Sequence, residues 1–273
     1  LIRGFLKIGP AVPYFTGWPT TNDAVILMTP GEEPVLFVNH YNHLPMAQMM
    51  ARLTDVRWGG VSAVGSALEE LKLRGGDTTR LGVVGNFTVK QHAQLAAGAG
   101  ELIDMGGDYT QLRLIKSEEE HDWMQIGAIL SDMGIGSIPN GLETGMTEYE
   151  LGDVVERSFV KYGAISQTHY FMINSMDEDG YCVPRQFSSN RKINKGDMVA
   201  TELSAQFWGY AGQILRTVTV GADPTPLYRD LHDVAMAAFD AIVAVLKPGT
   251  RPEEIIEAAT VIEDAGFSIW DDL

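Results

Sequence analysis

Cysteine is almost absent: Cys182 stands alone in 273 residues. An internal disulfide framework is therefore excluded, a reducing compartment suits the chain, and the thiol is expected to be buried and inert. Basic residues are also scarce. Twenty Lys and Arg face 36 Asp and Glu, a formal net charge of −16, so nucleic-acid phosphates and anionic lipid are repelled and neither is expected as a partner. No apolar run approaches the ~20 residues that span a bilayer. The first residues lack the basic start and apolar core of a signal peptide, so a soluble cytoplasmic protein is expected. Position 1 is Leu and the chain closes on "GFSIWDDL" without a helix stop or a polar tail; further chain is expected beyond Leu273.

With 45% hydrophobic residues, the chain can bury one or two sizeable cores. "AVILMTPGEEPVLFV" (Ala24 to Val38) reads as a hairpin around Pro30-Gly31-Glu32-Glu33. "RLGVVG" is a buried strand, and a helix follows it from Phe87 to a glycine. Strands alternating with helices indicate an α/β domain over residues 1–110. A second domain over 113–273 opens with two helices, each with a capping-box pattern: Ser117 with Glu120, and Thr147 with Glu150. The acidic run Glu118 to Glu120 suits a helix start, where carboxylates meet the positive dipole end. Three strands follow, "QTHYFMIN", "MVATELSAQFWGY" and "GQILRTVTVG", and then a helix closed by Pro248-Gly249. Helices beside an antiparallel sheet make this domain α+β.

Within "ELSAQFWGYAGQILRT" the Phe207-Trp208 pair lies midway between Glu202 and Gln213. A tight hairpin is expected to set these two roughly opposite each other, with Cβ atoms ~4.5 to 5.5 Å apart. Two carboxylates so placed can bridge two metal ions, which sit ~3.5 to 4 Å apart. Here one partner is a neutral amide, which cannot offset metal charge.

The stretch "INKGDMVATELSAQFWGYAGQILRTVTVG" (Ile193 to Gly221) resembles the central hairpin of the pita-bread fold shared by methionine aminopeptidases, Xaa-Pro peptidases and creatinase. Gly196-Asp197, Gly209-Tyr210 and Arg216-Thr217 match the family frame. "RLIKSEEE", "TGMTEYEL" and "VLKPGT" stand in the family's order, and "VPYFTGWPTTNDAVILMTP" is similar to the amino-terminal domain of Xaa-Pro peptidases and creatinase. The resemblance implies a pita-bread domain preceded by a smaller α/β domain, a hydrolase, and a homodimer. It also implies departures. The family's metallopeptidases carry metal-binding aspartates at the positions of Glu202 and Gln213, and a catalytic histidine at the position of Arg185. The remaining ligands, a histidine and two glutamates, would fall after Leu273.

Each candidate has two readings. Glu202 is either paired with Arg216 across a half-buried sheet or a substrate-facing acid, base or cation clamp. Gln213 either bonds Glu202 or orients substrate. Arg185 stays protonated at any working pH, so it grips a carboxylate or an oxyanion or is a surface arginine. His169 either faces the same pocket or is packed and hydrogen-bonded. His121 and His232 sit among charges on helices, where solvent is the default. His40 and His43 are loop residues that can reach substrate, since the resemblance implies that one subunit's amino-terminal domain borders its partner's site. Arg216, Gln213 and His169 are thus the candidate substrate contacts, and Glu202 and Arg185 the candidate catalytic residues.

Three functions follow from the resemblance. The first is a hydrolase of a C–N bond in a small molecule (amide, amidine or peptide-like) that works without cofactor or two-metal site. The second is an Xaa-Pro dipeptidase or aminopeptidase with an altered metal site, where Glu202 binds one divalent ion such as Mn, Co or Zn. The third is a pita-bread module that binds protein segments without catalysis.

Overall fold

A computed structural model describes residues 1–4, 11–20, 22–178 and 185–269, with the backbone alone for 168–170. The chain divides into two units, residues 1–121 and 122–273, and the change-over falls in the first turn of a long helix.

In the first unit β1 (Ile2–Gly4), α1 (Ala11–Thr16), β2 (Ala24–Leu27), β3 (Val35–Val38), α2 (Leu44–Met50) and β4 (Asp55–Trp58) are followed by α3 (Ala63–Leu73), β5 (Arg80–Val83), α4 (Val89–Gly98), β6 (Glu101–Asp104) and α5 (Gly106–Leu112). The strands order as β1-β2-β3-β4, with β3 and β4 parallel, and as a parallel β5-β6 pair. Val84 joins the two sets by bonding Arg3 N and Leu1 O, each at 2.9 Å. Every residue of β2 and β3 is buried, because both faces are covered. Val25, Leu27, Val35 and Phe37 meet α3 and α4, while Ala24, Ile26, Leu36 and Val38 meet α1, Trp18 and α2. That double cover explains the unbroken apolar runs in the sequence.

One carboxylate ties this unit's elements together. Glu70 on α3 accepts from Arg74 Nε at 2.9 Å and from Arg57 Nη1, on β4, at 2.7 Å. Arg74 continues to Glu32 Oε2 in the β2–β3 turn at 2.9 Å. The hydrogen bond from Arg74, joined by Arg57, holds the Glu70 carboxyl below its ordinary range against the opposing effect of burial.

The second unit takes over within α6 (Glu118–Gly141) and continues through α7 (Glu148–Phe159), β7 (Ile165–Ser175), β8 (Asp197–Phe207), β9 (Tyr210–Thr219), α8 (Pro226–Val245), α9 (Pro252–Ala258) and α10 (Val261–Asp264). Both expected capping boxes form. Ser117 Oγ accepts from Glu120 N and Thr147 Oγ1 from Glu150 N, while each glutamate reaches back to its cap's N–H. Gly163 then takes φ 84° and ends the α7 segment. The sheet is antiparallel, β7-β8-β9. Val199, Leu203 and Ala205 of β8 face Leu130 and Ile138 of α6 and Leu151, Val155 and Phe159 of α7.

Small residues let α6 sit on the hairpin's backbone. A Cβ on Gly127 would lie 2.8 Å from the Tyr210 carbonyl oxygen, and one on Gly212 would lie 2.4 Å from Ala128 Cα. Beside them, Ser131 Oγ donates to Gly212 O at 2.7 Å and accepts from Ala205 N at 2.9 Å. A larger residue at any of these positions would push helix and sheet apart.

Two buried carboxylates hold the segment that returns to β8. Glu148, with no exposed surface, accepts from the Arg185 guanidinium and, at 2.7 Å, from Ser189 N. Asp197 accepts from Arg191 Nη1 at 2.8 Å, Arg191 Nη2 at 3.2 Å and Asn194 N at 2.8 Å. The Gly-Asp pair before the strand is therefore a turn clamp, with Gly196 at φ 87°.

Two outcomes test these ties. Glu148→Ala should lower unfolding free energy by about 3 kcal/mol, and Arg185→Ala by at least as much, because it strands a fully buried carboxylate, as read by urea midpoints. Glu70 has a lowered folded-state pKa, so its contribution is complete above the unfolded carboxylate range near ~4.3 and is lost as pH falls through the lower folded value. The gap in urea midpoint between wild type and Glu70→Gln should therefore shrink from pH 6 to pH 3; a constant gap would contradict the assignment.

Candidate active site

The hairpin turn fixes the register on which the site depends. Trp208 and Gly209 both take positive φ, 49° and 90°, as a two-residue type I′ turn requires, and Phe207 pairs with Tyr210. Glu202 therefore lies opposite Leu215, and Gln213 opposite Ser204. The expectation that Glu202 and Gln213 stand directly opposed is corrected: they are diagonal neighbours on one face. The long side chains close that gap, and Gln213 Nε2 donates to Glu202 Oε1 at 2.8 Å.

Arg216 pairs with Thr201, one position out of phase with Glu202, so the two side chains leave opposite faces of the sheet. Its Nη1 donates to the Leu215 carbonyl at 2.7 Å. The expected Glu202–Arg216 pair is thereby corrected. Arg185 bridges Phe171 in the ladder, and Phe171 pairs with Thr201. Arg185, Phe171, Thr201 and Arg216 thus form one lateral row on the face that α6 and α7 cover. The ladder does not bring Arg185 to Glu202; its guanidinium is tied to Glu148.

His169 lies in β7 opposite Leu203. His121 and His232 are exposed, the latter 3.5 Å from Asp233 Oδ1. His40 is exposed and His43 half-buried in the first unit, their rings 5.3 Å apart. Cys182 lies outside the described residues. Glu148 escaped sequence reasoning, because a glutamate in a first helical turn is ordinarily solvated and only tertiary packing buries this one.

Chemically, the Glu202 face offers acceptors. With Oε1 engaged by the amide, Glu202 Oε2 and Gln213 Oε1 have no hydrogen-bond partner among the described residues, so together they suit an N–H donor or a proton in transit. They do not by themselves suit two metal ions, which need anionic oxygens from both positions. Among the described residues no group of three or more His, Cys, Asp and Glu is placed to hold an ion, and no helix is long and apolar enough to cross a membrane.

Comparison with known proteins agrees with this architecture. Residues 122–270, more than half of the chain, match metallopeptidase family M24. The uncharacterized peptidase YqhT of Bacillus subtilis (strain 168) is 26% identical over 246 residues, covering 89% of this chain and 67% of its own length. An Xaa-Pro dipeptidase of Pyrococcus furiosus is 24% identical over 267 residues, covering 97% and 74%. Among solved structures, the prolidase from Pyrococcus furiosus has a TM-score of 0.79 at 22% identity, over 97% of this chain and 74% of that one. The X-Pro aminopeptidase from Thermotoga maritima MSB8 has a TM-score of 0.80 at 16% identity, over 97% and 75%. The fold is thus the α+β pita-bread type with a smaller amino-terminal unit, and the chain belongs to metallopeptidase family M24, in its Xaa-Pro peptidase branch.

Proposed function

We propose that this protein is an Xaa-Pro peptidase-type hydrolase that cleaves a C–N bond of a small, peptide-like molecule, with Glu202 and Gln213 as substrate contacts rather than as a two-metal bridge. The observation that carries the reading is the 2.8 Å bond from Gln213 Nε2 to Glu202 Oε1. An amide in place of a second anion satisfies the carboxylate without adding charge, so the pair is a complete polar unit. In hydrolysis, water adds to the carbonyl carbon and the amine leaves with a proton. Glu202 can take the proton from water or steady the protonated nitrogen, and Gln213 fixes its rotamer. Arg185 serves through Glu148, holding residues 185–189 against β7. His169 stands in the row of Leu203, which packs on α6 and α7, and not in the row of Glu202.

The second reading, an Xaa-Pro metallopeptidase, is favoured by the named activities of the relatives. In it Glu202 would be one oxygen ligand of a divalent ion such as Mn, Co or Zn, completed by donors other than this hairpin's. A homodimer and a cytoplasmic setting belong to either reading.

One panel separates them. Purified protein is analysed for bound metal and assayed on Xaa-Pro dipeptides, amino-acid amides and amidines, with and without chelator, beside Glu202→Gln. The proposal expects turnover that survives chelation and falls on the order of 100-fold in Glu202→Gln. Two equivalents of metal with chelator-sensitive Xaa-Pro cleavage would establish the second reading instead. Tight peptide binding without turnover would leave a binding module.

A further inference from the structure

The face that carries Glu202 changes character along the hairpin. Toward the turn stand Ser204 and Gln213, a polar pair opposite each other. Toward the base stand Ala200 on β8, Met172 on β7 opposite it, and Leu215 on β9 directly opposite Glu202. Alternation puts all of these on one side of the sheet. Thr217, opposite Ala200, shares this face too, and the apolar side chain directly across from Glu202 is Leu215.

Leu215 is the unusual member. It is 57% exposed, whereas Met172 is packed with Met176, Met198, Ala200 and Tyr228 in a small core of its own. A directly opposed pair has Cβ atoms about 4.5 to 5.5 Å apart, so this leucine stands beside the carboxylate and is not spent on packing. A lone exposed leucine elsewhere would need no explanation. Here its place gives any group hydrogen-bonded to Glu202 and Gln213 an aliphatic neighbour on the side away from the turn, with the exposed Thr217 next along β9.

We infer that Leu215 is a specificity-determining residue: the substrate lies along the hairpin, its N–H donor toward Glu202 and Gln213, and an adjoining uncharged aliphatic group over Leu215. This rests on the proposed role of Glu202 and adds the chemistry of the neighbouring group. A site with that neighbour prefers substrates that carry the aliphatic group over those that carry hydrogen there, since one methylene in an apolar pocket changes kcat/KM by roughly 10- to 200-fold.

The test compares the full protein with Leu215→Thr and Leu215→Ala on two matched series, Gly-, Ala- and Leu-Pro dipeptides and the corresponding amino-acid amides. Both variants alter an exposed side chain, and thermal melts confirm that they fold. The expected result is a wild-type preference for Leu over Gly that drops at least tenfold in both variants, carried by KM, with turnover of the Gly substrate little changed. An equal loss on all substrates, or an unchanged preference, would overturn the inference. Glu202→Gln is assayed in parallel. If it keeps full activity, the reading of the site fails; if it loses activity while the Leu215 variants keep the wild-type preference, only the role of Leu215 fails.

Discussion

The backbone of α6 rests directly on the backbone of the β8–β9 hairpin, and the geometry of the site follows from that seat. Gly127 and Gly212 remove the side chains that would hold the two apart. Ser131 then accepts from Ala205 N and donates to Gly212 O, at the row where those two residues pair. A hydroxyl bonded on both sides fixes translation as well as distance, because sliding the helix by one residue would leave two buried backbone groups unsatisfied. With Leu203 and Ala205 committed to the helices, strand alternation sends Glu202 and Ser204 to the other face. The orientation of the candidate site is thus a consequence of how the opposite face is packed.

The same logic, a buried carboxylate collecting backbone N–H groups and an arginine, appears twice in the segment that leads into β8. Glu148 gathers Arg185 and Ser189 N; Asp197 gathers Arg191 and Asn194 N. Each satisfies an otherwise costly buried charge with a cation and a main-chain donor. Their joint effect is to hold Arg185 beside Phe171 of β7 and residues 191–193 beside the loop before α7, and to start β8 at a fixed place. Arg185 has its cationic role in this framework, on the face away from Glu202.

What the sequence disclosed and what it withheld divide along the reach of the interactions. Capping boxes at Ser117 and Thr147 were legible because their partners lie three residues away. The buried runs of β2 and β3 were legible because hydrophobicity alone marks a strand covered on both sides. The family frame was legible in the order of its motifs. The register was not, because the turn places Trp208 at positive φ, a conformation a bulky residue seldom adopts, and reading the turn one residue early shifts every pair. Parity could still have ruled out a Glu202–Arg216 pair. In a hairpin closed by two residues, same-face partners are an odd number of positions apart, and these two are separated by an even number. The burial of Glu148 left no local trace at all.

The amide at position 213 changes the electrostatics of the face more than its similar size suggests. Two carboxylates held within hydrogen-bond range on a half-buried face repel each other, and unless a proton or cation lies between them one carboxyl group's pKa is driven up. A glutamate and a glutamine need neither, since the amide N–H donates to one carboxylate oxygen while the other oxygen stays open. The pair therefore needs no shared proton or cation, and the acceptors that the described residues leave unbonded suit a nitrogen donor. The exposed Leu215 opposite Glu202 works in the same direction. An apolar neighbour offers no hydrogen bond of its own, so on that side of the carboxylate it favours an aliphatic group beside the donor. Immediately around Glu202, charge is set by Gln213 and shape by Leu215.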